Sequence, residues 1–446
     1  MRLAERSILI LISGLLTRNA LGQTAPALVL THAVVIDGSG GAPIEDGVVV
    51  IRGERIEAVG PPSGVTVPPG SRSLDLSGLS VMPGLADMHV HLLGGWDGEG
   101  VDMLGYRRYL SSLLYSGITT VLDTGNVQPY VLQLRQEIDA GRLLGPRVYC
   151  AGPVIDGADP VWPPISTSIS SLDQIPKAVT QLKSSGVDIL KAYVGLSDPM
   201  VALLASEGRK VSLPVFVDQW TRNGSIDLMQ AGIAAFAHTP TRDMPDEAIA
   251  LMRERNIRVI TTLAVYESFS RRRLQNLAFL ETPLIRDTTP PWFLEELRAM
   301  ALRPPGEMEA ALGRIREGQV NAKRLFDAGI LLAAGTDAPY PGVFQGEGLH
   351  RELELLVEAG LTPLEALTVG TRNAARLLNA EREWGTLTAG SLADVVVVRG
   401  RPDRNISETR NVEMVIRQGQ ILDRQKMKFD PSLDPGFRVS TKVSEQ

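Results

Sequence analysis

Residues 81–91 read VMPGLADMHVH and contain two of the five histidines of this 446-residue chain. His89 and His91 stand two positions apart in an apolar stretch that follows a Pro-Gly pair, a pattern typical of a buried strand. Because side chains alternate along a strand, both imidazoles point to the same face. Two imidazoles on one strand form half of a site for a divalent transition metal. Taken alone, the pattern also fits two ordinary histidines on a strand.

Outward from this segment, short apolar runs that end in polar residues alternate with longer amphipathic segments. This βα rhythm predicts a parallel sheet covered by helices. Eight βα units close a (β/α)8 TIM barrel, in which the carboxyl ends of the strands carry the active site. The predicted strands are Leu85–His91, Thr119–Asp123, Arg147–Ala151, Ile189–Tyr193, Val215–Gln219, Ala235–His238, Val259–Thr262 and Leu331–Gly335.

Both ends of the chain have a different pattern, in which short strands follow one another without helices between them. These strands are Leu28–Asp37, Gly47–Arg52, Arg55–Val59, Ala393–Val398, Val412–Arg417 and Gln420–Leu422. We predict that they form one small β-sandwich domain built from both chain ends. The expected division is a leader over 1–22, the β domain over 23–83 and 384–427, the catalytic barrel over 84–383 and a polar tail over 428–446.

Four segments together resemble the amidohydrolase superfamily. Residues 83–91 (PGLADMHVH) are similar to its strand-one signature, and residues 333–337 (AAGTD) to its strand-eight motif. Residues 349–367 resemble the helical region that follows, and residues 385–394 (GTLTAGSLAD) the return into the β domain. The resemblance covers about residues 27–425 and is nearest to the imidazolonepropionase-like and prolidase-like branch, which carries a lysine on strand four.

This resemblance implies a binuclear centre of divalent ions, zinc being the expected metal. Its ligands would be His89, His91, Lys191, His238 and Asp337. In the mechanism that it implies, a hydroxide held by the metals attacks a carbonyl carbon. Asp337 is then both a ligand and the catalytic acceptor of the water proton. The alternatives are a helix N-cap for Asp337 and a buried, hydrogen-bonded histidine for His238.

Lys191 follows Ile189 and Leu190 in an apolar strand, where an ammonium group must be paired or neutralised. A neutral amine takes up carbon dioxide, and the resemblance implies that the resulting carbamate bridges the two metals. The alternative is a lysine at a strand end that reaches water or pairs with an acid.

Strand five departs from the family pattern, because Asp218 stands where a histidine is usual, and no histidine lies between His91 and His238. A carboxylate can also bind a divalent ion. It would make the second site more negative and favour manganese or magnesium. Alternatively, the second site is weak or lost.

Substrate contacts are sought after the strands, where loops determine specificity in such barrels. Tyr193 and Tyr266 follow two predicted strands, and His350 follows the eighth. We predict that these three side chains contact substrate, with core packing as the alternative for each. Residues 267–316 form a long connection that we expect to carry helices and to lie near the mouth.

The function that these residues predict is metal-dependent hydrolysis of an amide or peptide-like C–N bond in a small-molecule substrate. One alternative is a single-metal deaminase of the same fold, and another is a catalytically silent metal-binding protein, which Asp218 makes conceivable. A proton acceptor such as Asp337 argues against the silent protein, because binding alone does not need one. A homo-oligomer is compatible with the sequence.

Composition narrows the partners and the compartment. The net charge of -6 and the lack of a long basic run give no reason to expect a nucleic-acid partner. The densest basic run, residues 271–273, is predicted to be a solvated helix face. The single cysteine excludes an intramolecular disulfide.

The first 22 residues predict an export signal. Arg2 and Arg6 precede the apolar run Ile8–Leu16, and residues 20–22 (ALG) offer small side chains for cleavage. The apolar run is too short to span a bilayer as a helix. We therefore expect a periplasmic or secreted protein without a stable membrane span.

Overall fold

The computed structural model describes residues 26–96, 100–218, 225–302 and 308–432. The predicted signal peptide lies outside the described residues, as does the tail beyond residue 432. The strands are β1 Leu28–Val35, β2 Ile44–Arg52, β3 Arg55–Gly60, β4 Arg72–Asp75, β5 Leu79–Pro83, β6 Leu85–Val90, β7 Ile118–Asp123, β8 Arg147–Cys150, β9 Val154–Asp156, β10 Ser166–Ser168, β11 Leu190–Ala192, β12 Val215–Val217, β13 Ala235–Phe236, β14 Arg258–Ile260, β15 Leu332–Ala333, β16 Val395–Arg399, β17 Val412–Arg417 and β18 Gln420–Ile421.

Helices occupy most of the connections between the strands of the middle region. They are α1 Tyr106–Tyr115, α2 Tyr130–Asp139, α3 Ile175–Ser185, α4 Asp198–Lys210, α5 Ile226–Gln230, α6 Asp246–Glu254, α7 Leu263–Phe269, α8 Pro283–Arg286, α9 Pro291–Ala301, α10 Met308–Asp327, α11 Glu347–Glu358, α12 Pro363–Val369 and α13 Arg372–Leu377. Among the described residues, no helix combines the length and the apolar character needed to cross a membrane.

The middle region is a mixed α/β fold with two parallel sheets. One has the order β6-β7-β8 and the other the order β10-β9-β11-β12-β13-β14-β15. Backbone hydrogen bonds join the sheets at both sides, since the Asp188 amide donates to Cys150 O at 2.9 Å and the Met88 amide to Ala334 O at 2.9 Å. All eight predicted strands are present in these two sheets.

Two strands of this region were not predicted. β9 and β10 pair in parallel with each other, and β9 continues the sheet from β11. Each is three residues long, and the segment between them contains a Pro-Pro pair, so neither has a clear apolar period. The sequence analysis placed this stretch in a connection. A strand of three residues is recognised by its hydrogen-bonded neighbouring strands, because it is too short to show a pattern in the sequence.

Alternation along the strands separates two sets of buried side chains. In β12, Phe216 packs with Ala235 and Ala333 of neighbouring strands, whereas Val215 and Val217 pack in the cluster that includes the helices. This is the expected consequence of the two-residue period of a strand that is buried on both faces. The strands are thereby held rigidly, and their carboxyl ends keep fixed positions relative to one another.

Both chain ends contribute to one further sheet, with the order β18-β17-β16-β5-β1-β2-β3 and β4 beside β1. β5 pairs with β16 in antiparallel register, with Val81 opposite Val397. Strands from both chain ends therefore belong to one sheet. The two-layer sandwich stays a prediction.

The basic run at residues 271–273 is not a solvated helix face, which corrects the sequence prediction. The Arg273 guanidinium contacts the Glu347 carboxylate at 2.5 Å, and the two side chains are 9% and 0% exposed. Arg272 pairs with Glu267 at 2.8 Å. The carboxylates that neutralise this run lie on α7 and α11, and local sequence spacing gives no sign of the contact with α11.

Candidate metal centre

Six predicted ligands lie at or just beyond the carboxyl ends of parallel strands. The strand ends position these side chains side by side because neighbouring parallel strands finish at the same edge of a sheet. They are His89 in β6, His91 after it, Lys191 in β11, Asp218 after β12, His238 after β13 and Asp337 after β15.

His89, His91 and Asp337 form a compact cluster that could hold a metal ion, their ligand atoms lying within 4.8 Å of one another. Asp337 Oδ1 is 3.3 Å from His89 Nε2 and 3.0 Å from His91 Nε2. The His89 side chain is 1% exposed and that of His91 is 22% exposed, so the cluster is open on the His91 side.

Backbone carbonyls orient both imidazoles. His89 Nδ1 donates to Ala237 O at 2.8 Å and His91 Nδ1 to Gly125 O at 2.7 Å. A carbonyl oxygen only accepts, so the proton of each neutral ring is on Nδ1 and the lone pair of Nε2 faces Asp337. A nitrogen lone pair and a carboxylate oxygen that face each other repel unless a cation lies between them. The donor set therefore fits a divalent cation.

Lys191, Asp218 and His238 form a second cluster next to the first. Asp218 Oδ2 is 3.4 Å from Lys191 Nζ and 3.1 Å from His238 Nε2, and all three residues are buried. His238 Nδ1 lies 2.7 Å from the Thr262 hydroxyl. The rings of His238 and His89 are 4.6 Å apart, so the two clusters are in contact.

The electrostatic surroundings shift the two strand-one histidines in opposite directions. Burial lowers the pKa of His89 well below its usual value, and the charge of Lys191 adds to this effect. Burial also opposes the charged form of His91. In that form, however, Nε2 donates to Asp337, and this hydrogen bond together with the charge of Asp337 outweighs burial and raises the pKa of His91. His89 is thus held as a neutral imidazole, the form that binds a metal. The charged form of His91, in contrast, is stabilised by the Asp337 carboxylate.

Asp87 supports the cluster from behind and was missed by sequence reasoning. Thr336 donates to it through its hydroxyl at 2.7 Å and its amide at 3.0 Å, and the His89 amide is 3.2 Å from the same carboxyl group. Burial raises the pKa of Asp87 to about 8. The position of Asp87, two residues before His89 on the same strand, was a signal that could have identified it.

A cavity opens over both clusters. Besides the six predicted ligands, its wall contains mainly apolar and aromatic side chains, including Leu93, Val101, Val154, Trp162, Ile165, Tyr193 and Tyr340. An outer chamber of about 610 Å³ continues from it and shares Trp162, Tyr193 and Tyr340. The geometry thus combines a polar floor, whose side chains could hold a metal ion, with a largely apolar wall.

The structure places one of the three predicted substrate residues in this cavity. Tyr193 lines both chambers, and its hydroxyl accepts a hydrogen bond from Trp162 Nε1 at 2.9 Å. Burial, followed by the charge of Asp218, raises the pKa of Tyr193, which keeps it a neutral phenol. Sequence reasoning missed Trp162, which lies in a Pro-rich connection without a periodic pattern.

Tyr266 and His350 are not among the residues that line either chamber, and their contact with substrate stays a prediction. Tyr266 is buried behind His238, with ring centres 6.4 Å apart, and donates to Thr239 O at 3.2 Å. His350 is fully buried and lies 2.9 Å from both the Thr409 hydroxyl and Ser116 O. Both side chains point from their helices into the packed interior.

Comparison with known proteins identifies the family. The model of the amidohydrolase family matches residues 80–422. The chain belongs to the amidohydrolase family. This amidohydrolase is 24% identical to an imidazolonepropionase of Chloroflexus aggregans, with 85% of this chain and 91% of the relative covered. It is also 25% identical to an adenine deaminase of a Ruegeria species. That alignment includes 84% of this chain and 53% of the relative, so this chain spans about half of the relative's length.

Solved structures share the fold of this amidohydrolase. A putative prolidase from Bifidobacterium longum has a TM-score of 0.74 at 24% identity, with 92% of this chain and 98% of that chain covered. A Xaa-Pro dipeptidase has a TM-score of 0.71 at 22% identity, with coverage of 89% and 100%. At these identities the likeness concerns the fold, and together with the family it supports a hydrolase that acts on C–N bonds.

Proposed function

We propose that this amidohydrolase uses a divalent metal to cleave an amide or peptide-like C–N bond in a small-molecule substrate. The observation that carries the proposal is the convergence of His89 Nε2, His91 Nε2 and Asp337 Oδ1 at the floor of an apolar cavity. A divalent cation there supplies Lewis acidity toward water and toward a carbonyl oxygen. Zinc suits the imidazole ligands, and manganese or magnesium would suit the carboxylates.

Asp337 is the proposed catalytic acid–base. Its carboxylate lies 3.0 Å from His91 Nε2 and faces the cavity, where it can take a proton from the attacking water. The same carboxyl group then gives the proton to the leaving nitrogen. His89 and His91 hold their lone pairs toward this carboxylate because Ala237 O and Gly125 O fix their Nδ1 protons.

The proposal extends to a second metal bound by Lys191, Asp218 and His238. Lys191 would react with carbon dioxide to form a carbamate. A carbamate next to Asp218, whose carboxylate is 3.4 Å from Nζ, adds a second anion and requires a further cation. If Lys191 instead remains an ammonium, its ion pair with Asp218 neutralises the site, and the centre has one metal.

The proposed architecture follows from the same strands. We infer that β6, β7, β8, β11, β12, β13, β14 and β15 close into a barrel through the hydrogen bonds of Asp188 and Met88 described above. The sheet from both chain ends would form the small sandwich domain. Export to the periplasm or beyond remains part of the proposal, as it rests on residues 1–22.

Trp162, Tyr193 and Tyr340 favour a substrate with an apolar or aromatic group beside the C–N bond. These rings line the space above the metal-binding side chains. Aromatic surfaces bind such groups through burial of apolar area and ring stacking. A panel of neutral aromatic amides, dipeptides and lactones tests this preference.

The decisive experiment is metal analysis of protein expressed with zinc or manganese and bicarbonate, alongside Asp218→His. We expect two metals per chain and a carbamate signal in carbon-13 NMR. One metal that rises to two in Asp218→His would contradict the binuclear centre. Asp337→Asn should lower kcat by about 10²–10⁴-fold while metal at the histidines is retained. Near-native turnover in that variant would exclude the proposed role of Asp337.

The second candidate is a deaminase with one metal. The ion pair between Lys191 and Asp218 favours it, because the ammonium group neutralises the Asp218 carboxylate. No uncompensated negative charge of this pair then remains to bind a second cation. Release of ammonia from aminopurines without hydrolysis of amides would support this reading.

A further inference from the structure

A second cleft lies at the opposite ends of the strands from the metal centre. The cleft has a volume of about 530 Å³. Its wall includes Asn256 and Ile257, which precede β14, and residues 329–331, which precede β15. The metal ligands, in contrast, follow their strands. The cleft therefore shares no residue with the cavity that carries the proposed hydrolysis.

Positive charge dominates this cleft. Arg253, Arg372 and Arg376 line it, and the acid on the same wall is Glu365. The Glu365 carboxylate accepts from the Thr362 amide at 2.7 Å as part of a helix capping box. Within the described part of the chain, none of the three guanidinium groups has a carboxylate at ion-pair distance. Three arginines and one glutamate thus line the cleft, and among the described residues none of the arginines forms an ion pair.

Two buried polar atoms beside the arginines have no hydrogen-bond partner among the described residues. They are Arg372 Nε and Asn373 Oδ1, and the Asn373 residue is 7% exposed. Burial and the nearby charge of Arg376 lower the pKa of Arg372, and the charge of Asp37 opposes this shift in part. Buried polar groups are normally satisfied, so these two atoms are exceptions beside the cleft.

The remainder of the wall is partly apolar and also contains polar side chains, which are Ser39, Asn256, Thr362, Thr368 and Asn373. The apolar part consists of Met252, Ile257, Phe326, Ile330, Leu331 and Leu364. An inorganic anion would leave this surface in water. The ligand that matches the whole cleft has an anionic end and an apolar or aromatic body.

We propose that this cleft binds a phosphorylated small molecule with an aromatic body, its phosphate held by Arg253, Arg372 and Arg376. Guanidinium groups match phosphate oxygens through paired, charge-assisted hydrogen bonds, and several of them favour a phosphate over a single carboxylate. The site is separate from the metal centre and does not depend on the reaction catalysed there.

The test is calorimetric titration of the full, metal-loaded chain with adenosine monophosphate, adenosine and inorganic phosphate. We expect saturable binding of the monophosphate, with adenosine and inorganic phosphate each at least tenfold weaker. Arg372→Gln and Arg376→Gln should each raise the Kd of the monophosphate at least tenfold. Arg376 is exposed, so its replacement leaves the fold intact, as circular dichroism can verify.

Two controls locate the binding. Arg382→Gln removes an exposed arginine that does not line the cleft and should leave the Kd unchanged. Asp337→Asn alters the metal centre and should also leave it unchanged. Equal affinity for adenosine, loss of binding in Asp337→Asn, or absence of saturable binding by the monophosphate would each overturn the proposal.

Discussion

Each strand-one histidine uses one ring nitrogen for orientation, which leaves the other for a ligand. The carbonyls that orient them belong to Ala237 and Gly125, which come from other strand ends than β6. The direction of each lone pair therefore depends on neighbouring segments staying in place. Such supporting contacts contribute to metal affinity without touching the metal.

Gly335 is a residue-scale test of this dependence, because a side chain there would press on His89. A methyl group at 335 would lie 2.8 Å from His89 Cβ and 2.5 Å from Ile260 Cγ2. We expect Gly335→Ala to displace His89 and to weaken metal binding by about 10–100-fold, measured by competition with a chelator.

The matched control is Gly313→Ala in α10, where an added Cβ meets nothing within 4 Å. Replacing glycine by alanine in a helix raises the free energy of unfolding by up to about 1 kcal/mol. Metal affinity should stay at the parent level. Unchanged affinity in Gly335→Ala would show that the position of His89 tolerates the methyl group.

Glu352 gives a pH-dependent prediction at the same scale. It is fully buried and accepts from the Thr261 hydroxyl at 2.5 Å and the Ala264 amide at 2.7 Å. Burial raises its pKa from 4.5 to about 7. The folded chain therefore holds more protons than the unfolded chain between these values, and this group lowers the free energy of unfolding as the pH rises through that range.

Glu352→Gln removes this titration. The free energy of unfolding of the variant, minus that of the parent, should increase by up to about 3 kcal/mol as the pH rises from 4.5 to 7. Above pH 7 this difference should not change further. Urea unfolding of both proteins at several pH values measures the difference. A difference that is constant with pH would contradict the raised pKa of Glu352.

At the scale of elements, the connection between β14 and β15 is fastened to α11 by buried ion pairs. Glu347 is fully buried and contacts Arg273 at 2.5 Å and Arg410 at 2.6 Å. Burial opposes its charged form, but the two guanidinium groups outweigh it and lower its pKa to about 2. This connection contributes Phe269 and Met300 to the outer chamber, so the ion pairs hold part of the proposed substrate wall.

Glu347→Gln leaves both arginines without their shared counter-charge. Removing one partner of a buried pair costs about 3–5 kcal/mol, and we expect a loss of this size in the free energy of unfolding. Hydrogen exchange should rise first in residues 270–302. The control, Glu281→Gln, breaks an exposed pair with Arg298 and should change stability by less than about 1 kcal/mol. Equal effects in the two variants would exclude a special role for the buried pair.

At the scale of the whole molecule, the last strands complete a sheet begun by the first. β16 lies between β5 and β17, and the buried side chains beyond residue 400 include Val412, Val415, Ile416 and Met427. Burying four such side chains contributes on the order of 6–12 kcal/mol. That is comparable to the total stability of a typical domain.

Truncation after Gly400 should therefore abolish the cooperative unfolding transition, or make the chain insoluble. Truncation after Ser432 removes only residues outside the described range and should leave the transition temperature within a few degrees of the parent. Differential scanning calorimetry distinguishes the two. A cooperative transition in the shorter chain would show that the middle region folds without the shared sheet.

The sequence by itself determined the local features. The two-residue spacing of His89 and His91 placed both on one face of a strand, and the apolar runs located eight parallel strands within a few residues. These properties depend on backbone period and burial, which neighbouring residues in the chain determine. The likeness of residues 333–337 to a known motif drew attention to Asp337 for the same local reason.

Only the tertiary structure decided which side chains meet. Tyr193 and Tyr266 both follow strands, yet one lines the cavity and the other packs behind His238. Arg273 is buried because Glu347, 74 residues further along the chain, comes to lie against it. Contacts of this kind depend on how distant elements pack, and a linear pattern carries no information about the direction from which a distant partner approaches.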